Sequence, residues 1–218
     1  MKFLLASLTL GSTLAFVSAA APAHAADAPV HLRGTVVSTT ATRLTVKTSD
    51  GETTVALTPK TGYAGAMTGS MADIKPGTFL GIASVEHGKA STALEVTVFP
   101  DSMRGTGEGD YPWDLKAGAG HSMMTNGNVS HSMMTNGSVG HSMMTNGAVH
   151  SMMGHGTTVM MTYKGGSRTI EIPPNAPIVT IAPGSKALLE PGAHVFVIAA
   201  NGTAGFVVVG EHGAIPPM

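Results

Sequence analysis

Apolar and polar residues alternate with period two along most of the chain. Leu44 and Val46 alternate with Arg43, Thr45 and Lys47, Asp50-Gly51 marks a turn, and Val55 and Leu57 alternate beyond it. That pattern predicts a β-hairpin with one buried face. A second hairpin repeats the first in register: Val159 and Met161 precede Gly166 by the spacing at which Leu44 and Val46 precede Gly51, and Ile170 and Ile172 follow it as Val55 and Leu57 follow Gly51. Pro76-Gly77 comes 25 residues after Gly51, and Pro191-Gly192 comes 25 residues after Gly166. Each Pro-Gly leads into an apolar strand, Thr78 to Val85 or Ala193 to Ala200, and a closing strand follows, Ala93 to Phe99 or Gly205 to Val209.

With an opening strand over His31 to Ser38, each copy holds about five strands. The fold expected is all-β: two small OB-like five-stranded barrel or sandwich domains from an internal duplication, joined by a repeat segment rich in Gly, His and Met. Gly147-Ala148-Val149 is read as the start of the second copy's opening strand. The expected divisions are a signal segment over 1–25, a first β-domain over 26–104, a Gly-rich linker with repeats over 105–146, and a second β-domain over 147–218.

The first 25 residues carry Lys2, an apolar stretch from Phe3 to Val17, and Ala23-His24-Ala25 as a small-residue cleavage site, so a signal helix and export to the periplasm or medium are expected. No later run reaches the roughly 18 apolar residues of a membrane span. Lys and Arg number 12 against 13 Asp and Glu, with no basic cluster, which argues against nucleic acid as a partner. Cysteine is absent, so thioether is the only sulfur donor available and packing must hold the fold without disulfides.

The segment with distinctive chemistry is a four-fold phrase, His-Ser-Met-Met, beginning at His121, His131, His141 and His150 and followed three times by Thr-Asn-Gly. No Asp, Glu, Lys or Arg occurs from Ala117 to Tyr163. Imidazole and thioether without carboxylate favour soft or borderline ions, Cu(I) and Ag(I) first, over Ca²⁺ or Mg²⁺. The candidate metal ligands are His121, Met123, Met124, His131, Met133, Met134, His141, Met143, Met144, His150, Met152, Met153 and His155. Copper or silver is the expected cofactor, with none needed for the β-domains to fold. Two readings of the repeat stay open: a ligand array, or Met pairs that pack on neighbouring strands in a segment expanded by replication slippage.

Asn126-Gly127, Asn136-Gly137 and Asn146-Gly147 predict two-residue hairpin turns, with His131 and Met133 on one face and His141 on the other, in a segment too Gly-rich to order itself without a metal. Motifs for a nucleophile, a zinc protease or a dinucleotide site are absent, so no enzyme is expected. Glu108 and Asp110 read as solvated linker charge, Lys164 and Arg168 as solvated residues flanking a turn, and Trp113 as an aromatic covering the end of the first barrel. The alternative function is a noncatalytic envelope module that binds a protein or glycan near Trp113, with the repeat as spacer.

The stretch from Tyr163 to Val197, with Pro173-Pro174, Pro183-Gly184 and Glu190-Pro191-Gly192-Ala193-His194-Val195-Phe196-Val197, resembles an exported proteobacterial family of small β-domain proteins of unknown function, in which the Met-Thr-Asn-Gly unit also occurs. That resemblance implies a β scaffold and no catalytic residue. The repeat is also similar in composition to periplasmic copper- and silver-binding proteins.

Overall fold

A computed structural model describes residues 29–87, 90–117, 120–134 and 156–216. The signal segment expected over 1–25 lies outside them. The described chain is a single sheet of 13 strands with three isolated 3-10 turns. Among the described residues no helix is long and apolar enough to cross a membrane.

The strands are β1 (Val30–Thr39), β2 (Arg43–Thr48), β3 (Gly51–Ala56), β4 (Gly62–Thr68), β5 (Phe79–His87), β6 (Ala90–Phe99), β7 (Gly109–Ala117), β8 (Gly120–Met134), β9 (Thr157–Tyr163), β10 (Gly166–Ile172), β11 (Ile178–Pro183), β12 (His194–Ala200) and β13 (Thr203–Gly210). Their pairings close two rings. The first joins β1, β2, β3, β13 and β12. The second joins β8, β9, β10, β6 and β5. β4 and β11 pair antiparallel with each other and hold the rings together.

Both hairpins expected from alternation are present, but the rings do not follow chain order. The sequence reading gave each copy its five strands from one half. Instead β1 to β3 complete their ring with β12 and β13, while β5 and β6 belong with β8 to β10. Burial explains the division. Val36, Leu44, Val46, Val55 and Leu57 share one core with Val195, Val197, Ala204, Val207 and Val209. Leu80, Ile82 and Val96 share the other with Val129, Val159, Met161, Ile170 and Ile172. A third apolar cluster, including Ala64, Val179, Ile181, Phe196 and Val208, lies between the rings.

The rings correspond in register. Val36 pairs with Val46 and a bulge follows before Ser38; Val129 pairs with Met161 and a bulge follows before His131. Gly34 faces Val195 as Gly127 faces Leu80. In the second ring β8, which carries the first Asn-Gly-x-Val unit, holds the place that β1 holds in the first, and the opening strand expected at Gly147-Ala148-Val149 lies outside the described residues.

The turn expected at Asn126-Gly127 is also absent, because β8 runs through it and neither residue has a positive φ. Glycine serves here for close approach: a Cβ at Gly127 would stand 2.5 Å from the Thr162 carbonyl oxygen. The 105–146 segment is thus structured in part, as β7 and β8. Asn136-Gly137 and Asn146-Gly147 lie outside the described residues.

Candidate functional site

β8 distributes the first repeat across its two faces. Met124 is buried at 2% exposure and lines a cavity with Asn126, and alternation puts Met123, half-buried, on the opposite face. The first Met-Met pair therefore does not present both sulfurs to one ion, and Met124 packs as a core side chain. His121, Met133 and Met134 lie within β8, with side chains outside the described set. His141, Met143, Met144, His150, Met152, Met153 and His155 fall outside the described residues altogether.

Among the members of the set with described side chains, His131 is the exposed one. Beyond the bulge at Ser130 it stands opposite Met160 on β9, and directly opposed residues of an antiparallel pair carry their side chains on the same face. Met160 is 44% exposed, whereas its neighbours Val159 and Met161 are fully buried. His131 and Met160 line an open recess of about 260 Å³ with Thr158 and Thr169. Met160 was missed from sequence, although the alternation that turned Val159 and Met161 inward also turned it out. Among the described residues no three His, Asp or Glu side chains gather as a metal site.

A second cluster forms where β7 crosses the molecule as a strap. Trp113 lies against His31 with ring centroids 4.4 Å apart and near Phe196 at 6.4 Å, and the Arg33 guanidinium sits 5.2 Å from the Phe196 centroid. Arg33 and His31 converge on Asp114: Arg33 Nη2 donates to Oδ1 at 2.7 Å, Nη1 to Oδ2 at 3.3 Å, and His31 Nδ1 lies 3.1 Å from Oδ2. At the other end of the strap, Arg168 Nη2 donates to Asp110 Oδ2 at 2.7 Å and Nη1 to Glu86 Oε1 at 2.7 Å, while Thr125 Oγ1 donates to Asp110 Oδ1 at 2.7 Å.

Three expectations change here. Asp110 and Arg168 are not solvated, with side-chain exposures of 14% and 17%. Trp113 covers the outer wall of the first ring, over Phe196, rather than its end. Sequence reasoning missed the His31-Arg33 partnership, since strand spacing puts both on one face of β1 but does not say which carboxylate meets them.

Burial raises the Asp114 carboxyl, but the hydrogen bond and charge of Arg33, with His31, outweigh it and hold the group below the ordinary carboxylate range. Arg168 is lowered by burial and raised more strongly by Glu86 and Asp110. Tyr111, on the same strap, is raised by burial. Since the folded value of Asp114 is depressed, its contribution to stability is present above the ordinary carboxylate range and is lost as pH falls through the folded value. Acidification below about pH 4 should loosen the strap, and Asp114→Asn should remove that acid dependence. At 48% exposure of Asp114, the effect at neutral pH should stay at about 1 kcal/mol or less. Emission from Trp113, the only tryptophan, reports it directly.

Beside the strap lies an open cleft of about 600 Å³ lined by Pro29, His31, Tyr111, Pro112, Trp113, Asp114 and Ile198. No known protein family matches this chain, and neither does any curated protein or solved structure. The functional reading therefore rests on these two sites and on the repeat.

Proposed function

We propose that this is an exported, noncatalytic protein that binds Cu(I) or Ag(I) through its His/Met segment, carried on two OB-like barrels that arose by internal duplication. The observation that carries the reading is the opposition of His131 and Met160, one imidazole and one thioether on an exposed face of β8 and β9. The recess has no charged side chain in its lining, so no carboxylate competes for hard ions there. β8 leads directly from this pair into the remaining His-Ser-Met-Met units, which supply further donors of the same kind. The matching bulges and glycines of the two rings support the duplication.

Competition against a Cu(I) chelator tests the site. Met160→Ala and His131→Ala should each weaken binding about tenfold or more, because each removes one of two soft donors. Equal copper uptake by wild type and Met160→Ala would take the β8–β9 face out of the mechanism. Equal uptake after His121, His131, His141 and His150 are all changed to Ala would take histidine out of it.

The strap cleft favours a second reading, a surface module for a protein or glycan, because it sets aromatic faces beside a carboxylate and an imidazole. Deleting residues 135–155 separates the two. A metal role predicts copper capacity reduced to the His131–Met160 site with glycan or protein capture unchanged, and a spacer role predicts unchanged copper capacity with altered capture.

A further inference from the structure

We propose that the cavity beneath the strap is a binding site for a small neutral aromatic molecule, a single six-membered ring carrying one hydroxyl. The cavity has a volume of about 110 Å³ and lies against the apolar cluster between the rings. Phe99, Phe206, Met103 and Met124 form much of its wall, and Tyr111 and Trp113 come to it from the strap. Among the described residues no charged side chain lines it, which excludes a carboxylate or ammonium ligand on desolvation grounds.

Size and wall chemistry choose the ring. Protein interiors pack with few voids larger than a water molecule, and a dry apolar cavity of about 150 Å³ in another protein accepts benzene. Aromatic edges and thioether sulfur both make favourable contacts with a planar ring. The hydroxyl follows from two buried atoms without hydrogen-bond partners, both on residues of the lining: Trp113 Nε1, a donor, and Asn126 Oδ1, an acceptor. Asn126 is only 7% exposed, and its Nδ2 is committed to the Gly107 carbonyl at 3.1 Å and the Tyr111 hydroxyl at 3.1 Å, so it cannot turn to meet another need. A phenolic hydroxyl both accepts and donates, and so is able to satisfy either orphan. This cavity shares no residue with the His131–Met160 recess, so the two proposals fail separately.

The test titrates the full mature chain with phenol, benzene and benzoate, following Trp113 emission and calorimetric heat. Phenol should saturate with a dissociation constant of about 0.1–1 mM, given its few non-hydrogen atoms. Benzene should bind more weakly, since it answers neither orphan, and benzoate should not bind. Filling the space with Met103→Phe or Ile181→Phe should weaken phenol about tenfold or more. Thermal melts identify which variants remain folded, and Met103, only partly buried, is the gentler site. The proposal is overturned by the absence of a saturable response in the wild type, which would leave the orphans to water. Undiminished binding by a folded, filled variant would place the phenol elsewhere and overturn it equally.

Discussion

Residues 26–104 expressed alone will be an unfolded monomer at low concentration. That fragment contains β1 to β6 and every strand expected of a first domain, but β1 to β3 lose both β12 and β13. The core around Val36, Leu44, Val46 and Val55 is then open where Val195, Val197, Val207 and Val209 belong. A two- or three-stranded remnant with an uncovered apolar face is marginal in water. At high concentration a second copy offers a remedy. β5 stands to β8 as β12 stands to β1, with Phe79 opposite Asn128 as His194 is opposite Thr35, so β5 and β6 of one copy can complete β1 to β3 of another. Circular dichroism should show β structure growing with concentration, and sedimentation should assign it to a dimer. A folded monomer at all concentrations would show instead that β5 and β6 complete β1 to β3 of their own copy when β12 and β13 are missing.

Gly127→Val should destabilise the intact chain by about 3 kcal/mol, at the upper end of the usual overpacking cost. A side chain there would meet the Thr162 carbonyl at 2.5 Å, and a backbone oxygen held in a ladder has little freedom to retreat. Gly34→Val should behave alike, since its Cβ would approach the Lys47 carbonyl at 2.1 Å. Gly127→Asn discriminates sharply. A turn with positive φ would accept asparagine, whereas a close strand crossing rejects it as it rejects valine. Urea melts of the three variants are sufficient, and a near-neutral Gly127→Asn would restore the turn.

The hairpins β2–β3 and β9–β10 were legible because their inward residues are large and strictly alternate. β4 was not, since Gly62-Tyr63-Ala64-Gly65-Ala66 carries small residues that suit a crowded crossing between rings and leave little β signature. A Cβ at Gly184 would stand 2.8 Å from the Ala64 carbonyl carbon and the Gly65 nitrogen, both backbone atoms of β4, which shows how tight that crossing is. The partnering of strands was illegible in principle: β5 and β12 have equivalent patterns, and either could serve β1 on alternation alone. Asn126-Gly127 misled because the dipeptide commonest in tight turns also fits a strand where asparagine bonds backward, to Gly107 and Tyr111, and glycine admits a neighbouring backbone. For the candidate site, the repeat displayed its chemistry openly but not its geometry. Alternation with Val159 and Met161 turns Met160 out, whereas Met124 is buried because β5 and β7 flank it on β8, which its neighbours in the sequence do not reveal.

Because the first ring joins β1 to β3 with β12 and β13, its first hairpin is made long before the strands that complete it. The second ring has all its strands once residue 172 has emerged, while β1 to β3 wait for β12 and β13 with their apolar face uncovered. A nascent chain therefore exposes that face, and with it an aggregation hazard, until β12 and β13 have been made. Premature termination anywhere before β13 costs the amino-terminal strands their fold as well.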